Sequence, residues 1–134
     1  MYYHSGGGPR RWTAEKAVFY NRTPDPTPIT VGENLTREVF AESNVVLSTS
    51  FDTMVAKVGI KNEVSLGVST TQTWYWSINP TVPGYNKLVV EWGSEGGYGY
   101  GREVYFLEGY PEDEWSVTGN WTRNRYVEWW FEPL

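Results

Sequence analysis

The sequence predicts an all-β fold, an antiparallel β-sandwich that becomes elongated if its longest strand runs unbroken. Three observations carry this. Residues Met54–Ile78 alternate apolar and polar side chains with a period of two. Gly, Pro and Asn punctuate the chain at short intervals. Aromatic residues make up 17% of the chain, which together with frequent Thr and Val favours pleated, half-buried surfaces over helices. With 134 residues the chain is of single-domain length and needs no covalent staples.

The elements follow in order. Residues 1–11 read as a flexible leader, because Gly6-Gly7-Gly8-Pro9 has little propensity for regular structure. Residues 12–134 read as a single β domain. Trp12–Tyr20 is a first strand or a short helix, since Ala14-Glu15-Lys16-Ala17 fits either. Pro24, Pro26 and Pro28 enforce an extended connector. Leu35–Phe40 is a further strand. Across Met54–Ile78 the even positions carry Met54, Val58, Ile60, Val64, Leu66, Val68, Trp74, Trp76 and Ile78, and the odd positions are mostly Ser, Thr, Gly and Lys. About 25 residues at ~3.4 Å each would span ~85 Å, so the segment either bends or turns. A three-residue loop at Ile60-Lys61-Asn62 keeps the parity on both sides; a continuous bent strand is the alternative.

Pro83-Gly84 is a turn signal, Lys87–Trp92 a strand, Gly93–Gly101 a Gly/Tyr-rich loop, and Arg102–Leu107 a strand. Pro111-Glu112-Asp113 opens a last hairpin that turns at Gly119-Asn120. That register sets Glu114 opposite Arg125 and puts Trp115, Val117, Tyr126 and Trp130 on one face.

Composition narrows the function. The absence of cysteine removes disulfides and thiolate metal sites, and the single histidine, His4, removes Ser-His-Asp chemistry and multi-histidine metal sites. A net charge of -5 with interspersed acids argues against nucleic acid as a partner. No cofactor or metal is implied. Met1-Tyr2-Tyr3-His4 carries no signal-peptide pattern, so the chain is read as the mature form of an exported, extracellular bacterial protein.

Aromatic side chains are the best candidates for contact with a ligand. Tyr98 and Tyr100 in the glycine-rich loop, with Tyr126 and Trp130 in the last hairpin, form the predicted ligand-binding set. The loop is not a phosphate cradle, because Arg102-Glu103-Val104 begins a strand where a P-loop needs Lys-Ser/Thr and a helix. Trp74 and Trp76 share the apolar parity and are expected in the core. No catalytic residue is assigned: carboxylates such as Glu91, Glu95, Glu103, Glu108, Glu112, Asp113 and Glu114 are plentiful, but a glycosidase needs two at about 5–10 Å across a cleft.

The run Val64-Ser65-Leu66-Gly67-Val68-Ser69-Thr70-Thr71-Gln72-Thr73-Trp74, followed by Trp76-Ser77-Ile78 and Val82-Pro83-Gly84, resembles the long-strand region of aerolysin-type β-pore-forming proteins and of small secreted bacterial proteins that share it. The resemblance covers about a third of the chain and implies an elongated β fold and a secreted life. Three functions follow as expectations. The first is a secreted, non-enzymatic binding or effector module that engages a cell-surface glycan or envelope component. The second is a membrane-active, toxin-like protein. It would meet lipid through Val64, Leu66, Val68, Trp74 and Trp76 and would oligomerise only in that role. The third is a small glycan-active hydrolase.

Overall fold

The computed structural model describes residues 1–134. Seven strands and one helix run in the order β1 (Tyr2–Asn21), β2 (Thr27–Pro28), β3 (Val31–Ser43), α1 (Ser48–Val58), β4 (Ser69–Ile78), β5 (Thr81–Val82), β6 (Asn86–Leu107) and β7 (Tyr110–Pro133). The fold is all-β and mostly antiparallel, as the sequence predicts. One sheet has five strands in the order β1-β6-β7-β3-β4, and a second pairs β2 with β5. β2 pairs antiparallel with β5 and β3 with β7: Thr27 lies opposite Val82, and Ala41, Glu42 and Ser43 lie opposite Trp121, Asn120 and Gly119.

The chain divides into two compact units. Unit 1 comprises Met1–Arg11, Glu38–Thr70 and Glu95–Asn124; unit 2 comprises Trp12–Arg37, Thr71–Ser94 and Arg125–Leu134. Each has its own hydrophobic cluster.

In unit 1, Ala41, Val45, Phe51, Met54, Val117 and Trp121 are buried together. Helix α1 supplies Phe51 and Met54, with Val55 and Val58 packed against the cluster. Positions 51, 54, 55 and 58 form one helical stripe. The helix ends at Gly59, which takes the left-handed conformation (φ 80°) and donates its N–H to Val55 O at 3.0 Å. The sheet beneath is paved with glycine. A Cβ on Gly99 would lie 2.6 Å from Met54 Cγ, and one on Gly119 would lie 2.8 Å from Met54 Sδ. On Gly97 it would lie 2.7 Å from the Trp121 ring, and on Gly7 2.7 Å from Val58 Cγ2. The glycines are therefore the floor on which the helix side chains and Trp121 rest. Trp121 is fixed by an edge-on contact with Phe51 at 5.6 Å and by its Nε1–H, which donates to Ile60 O at 3.0 Å.

In unit 2, Val31, Leu35, Trp76, Val82, Leu88, Val90 and Trp92 form the buried cluster, with Trp76 and Trp92 4.8 Å apart. Val82 comes from the small sheet. Asn21 organises the proline-rich connector beside it. Its Nδ2 donates to Asp25 O, Val82 O and Pro83 O, and its Oδ1 accepts from Thr23 N and Thr23 Oγ1. A buried amide satisfied on both sides is a strong local constraint.

Several sequence-based expectations change. Residues 1–11 are not a leader outside the fold: β1 begins at Tyr2, and Val104 N donates to Met1 O at 2.9 Å. Met54–Ile78 is not one alternating strand. It comprises the end of α1, an irregular stretch over 59–68 and then β4, so no hairpin turns at Ile60-Lys61-Asn62. Instead Asn62 closes a local turn, its Oδ1 accepting from Val64 N at 3.3 Å. Gly93–Gly101 is not a loop but the middle of β6. Gly119-Asn120 is not a turn but lies paired within β7. Glu114 accordingly meets Arg102, at 3.0 Å, rather than Arg125. The hairpin turns at Glu108-Gly109, with φ of 53° and 82°. Two positive φ values in a two-residue loop are the signature of a type I′ turn, whose twist matches the strands. At Pro83-Gly84 the chain does turn, with Tyr85 taking the left-handed conformation (φ 53°).

Candidate functional site

Tyr98 and Tyr100 stand two residues apart on β6, so their side chains share a face of the sheet. They are 38% and 47% exposed, and their rings are stacked with centroids 6.5 Å apart and planes 13° apart. The neighbouring β1 supplies their support. A Cβ on Gly6 would lie 2.5 Å from the Tyr100 hydroxyl, and one on Gly8 3.7 Å from Tyr98 Cε1. The rings thus cover the bare backbone of two glycines, an aromatic-over-glycine arrangement that holds them flat against the sheet. Arg102 continues the same row. Its guanidinium sits 4.8 Å from the Tyr3 ring and pairs with Glu114. The result within unit 1 is an exposed surface of three tyrosine rings and one arginine. It offers flat apolar area with hydroxyl groups at its edge.

The other two predicted ligand-binding residues belong to unit 2. Tyr126 is only 8% exposed. Its hydroxyl donates to Glu91 Oε1 at 2.8 Å and lies 2.9 Å from Thr13 Oγ1, which itself donates to Glu91 Oε1 at 3.0 Å. Tyr126 is therefore a framework residue, a correction that follows from its burial and its bonds. Trp130 is half-buried. Lys16 Nζ lies 5.3 Å from its ring centroid, and its Nε1–H donates to Glu132 Oε1 at 2.9 Å. That hydrogen bond is the main cause holding the Glu132 carboxyl below its ordinary pKa, and Lys87 at 3.4 Å adds to it. Trp129, beside Phe131 at 5.6 Å, is the more exposed of the two tryptophans.

The segment expected to meet lipid is distributed differently from the sequence reading. Val64 and Leu66 pack against the unit 1 core, and Val68 lends its backbone to Ala41, whose N–H donates to Val68 O. Trp76 is buried in the unit 2 core, and Trp74 packs on it beneath the Arg125 guanidinium at 4.1 Å. Trp76 is thus a core residue and Trp74 a half-buried one packed on it, on the apolar side that their parity predicts.

Sequence reading missed the tip of the β6–β7 hairpin. Tyr105, Phe106, Leu107 and Tyr110 are all exposed there, and Glu108, Glu112, Asp113 and Glu114 share the same ribbon. The signal was the pair Glu108-Gly109 between two aromatic runs, which Gly119-Asn120 outranked as a turn.

Four of the singled-out carboxylates hold structural partners. Glu91 accepts from Tyr126 and Thr13, Glu95 pairs with Arg11 at 3.5 Å, and Glu114 pairs with Arg102. Glu103 is buried, accepts from Ser50 Oγ at 2.7 Å and lies 4.0 Å from the N-terminal ammonium. Burial, and to a lesser degree the Glu103 charge, raises the pKa of the Tyr2 phenol. No group of three or more His, Cys, Asp or Glu side chains is placed to hold a metal ion. No helix is long and apolar enough to cross a membrane. No protein-family model matches the chain, and no curated protein matches it.

Proposed function

We propose that the protein is a secreted, non-enzymatic binding module that engages a cell-surface glycan or envelope component through the Tyr98–Tyr100 face. One observation carries the reading: two exposed, parallel tyrosine rings are seated on the glycine backbone of β1 with Tyr3 and Arg102 beside them. Flat sugar faces stack on such rings, and phenol hydroxyls and a guanidinium supply orienting hydrogen bonds. Rings already held in place lose little freedom on binding. The contact set is revised to Tyr3, Tyr98, Tyr100 and Arg102, because Tyr126 is buried and Trp130 is half-buried with Lys16 over its ring.

The test is retention of the protein on insoluble cellulose, chitin, xylan and peptidoglycan, with wild type compared to Tyr98→Ala/Tyr100→Ala. Retention by at least one material, lost in the double variant while the thermal midpoint stays within a few degrees, supports the reading. Equal retention of the two proteins rejects it.

The exposed hairpin tip favours membrane activity as a second reading. Tyr105, Phe106, Leu107 and Tyr110 are aromatic and aliphatic side chains of the kind that seat at a bilayer interface. This moves the lipid contact from residues 54–78 to residues 105–110. Dye release from phosphatidylcholine vesicles, abolished by Phe106→Glu, would favour it. An absence of both release and co-sedimentation would leave the glycan reading alone.

A further inference from the structure

Unit 1 contains a cleft of about 390 Å³ lined by Pro9, Arg10, Arg11, Ile60, Glu95 and Arg123, with Gly96 in its floor. Its charge runs against that of the protein. The chain carries -5 overall, yet three of its seven arginines meet here and one carboxylate, Glu95, lines the cleft with them. Arg10 and Arg11 come from β1, Arg123 from β7, and Glu95 and Gly96 from β6 between them. Gly96 has to be bare: a Cβ there would lie 1.8 Å from Trp121 O. Two of the guanidinium groups are oriented. Arg10 Nη1 donates to Asn120 Oδ1 at 2.6 Å, and Arg11 Nε lies 3.5 Å from Glu95 Oε2. Arg123 is exposed and has no carboxylate partner. Pro9 and Ile60 give the cleft an apolar wall. Its volume lies at the small end of the range for small-molecule pockets, the size of one or two sugar rings.

We infer that this cleft binds the carboxylate of an acidic sugar, a uronate residue, with Arg123 as the principal anion-binding residue. Guanidinium groups meet carboxylates through two parallel N–H···O bonds, which a neutral sugar cannot match. Arg10 and Arg11 add field, and Glu95 keeps Arg11 in place. The identification of the ligand as a sugar rests on the glycan-binding reading; the identification of its charge rests on the cleft alone.

The experiment is calorimetric titration of the full chain at low ionic strength with trimers of galacturonate, glucuronate and mannuronate, and with methyl-esterified galacturonate trimer. Sodium sulfate is titrated separately. At least one uronate trimer should bind. Its affinity should fall at least tenfold in Arg123→Gln and recover in part in Arg123→Lys. The ester should bind at least tenfold more weakly than its acid. Arg123 has no ion pair to lose, so the fold should survive both changes, and an unchanged thermal midpoint confirms it. Absence of uronate binding, equal binding of the ester, equal binding by Arg123→Gln, or a preference for sulfate over every uronate overturns the inference. The two proposals fail separately. Tyrosine-dependent retention on a neutral polysaccharide without uronate binding removes the cleft and leaves the glycan face. Arg123-dependent uronate binding without any effect of Tyr98→Ala/Tyr100→Ala removes the glycan face and leaves the cleft.

Discussion

Replacing Gly97 by Ala separates a glycine-paved sheet from a glycine-rich loop. The new Cβ would lie 2.7, 2.8 and 2.9 Å from Cζ2, Cε2 and Nε1 of Trp121. That indole has no room to retreat: it is fully buried, lies edge-on to Phe51, and donates to Ile60 O. Overpacking a fixed ring costs about 1–3 kcal/mol. Displacing it would also weaken one hydrogen bond, by about 0.5–1.5 kcal/mol. The lower entropy of alanine in the unfolded chain returns about 0.4–1 kcal/mol. The net loss is about 1–3 kcal/mol, or ~4–12 °C in the thermal midpoint at ~4 °C per kcal/mol. Gly8→Ala is the matched control, because its Cβ would make an ordinary 3.7 Å contact with Tyr98. That change should shift stability by no more than about 0.5 kcal/mol. Urea unfolding monitored by tryptophan fluorescence measures both. A mobile loop would give Gly97→Ala equal or higher stability, and that result would refute the packing described for α1.

Three further outcomes follow from the same structure. Tyr126→Phe removes a donor to the Glu91 carboxylate and should cost about 1–2 kcal/mol in urea unfolding while leaving polysaccharide retention unchanged. Glu108 occupies a left-handed position that suits Asn, so Glu108→Asn should stabilise the hairpin by about 1 kcal/mol, read as a raised urea midpoint. The Glu132 carboxyl is held below its ordinary pKa, so it binds fewer protons folded than unfolded. Its contribution is present above the ordinary carboxylate pKa and is lost as pH falls through the lower folded value. Trp130→Phe removes the leading cause, and an acid unfolding titration should then show a shallower loss of stability in that window.

The strand-rich class was legible because Trp74, Trp76 and Ile78 alternate with polar residues and do lie in a strand. Helix α1 was not legible because its stripe begins at Phe51, and reading from Met54 left Met54, Val55 and Val58, of which Met54 and Val58 also fit a period of two. The glycines misled for a definite reason. Glycine marks a turn where backbone freedom matters and a close approach where side-chain absence matters. Gly97, Gly99 and Gly119 are the second kind, and only tertiary contact with Met54 and Trp121 reveals it. Once Gly119-Asn120 was taken as a turn, Tyr126 and Trp130 were assigned faces from a register that does not exist. Tyr98 and Tyr100 are exposed although the loop expected for them is a strand, because both side chains lie on one open face of β6. The arginine cleft was invisible because Arg10, Arg11 and Arg123 meet only through the β1-β6-β7 strand order.

The most direct test of the account is hydrogen exchange of the protein with and without whichever of cellulose, chitin, xylan or peptidoglycan retains it. The account predicts added protection in residues 3–8 of β1 and 98–102 of β6, where the tyrosine rings lie over glycine. Protection confined to residues 126–133, or retention by none of the four materials, would contradict it.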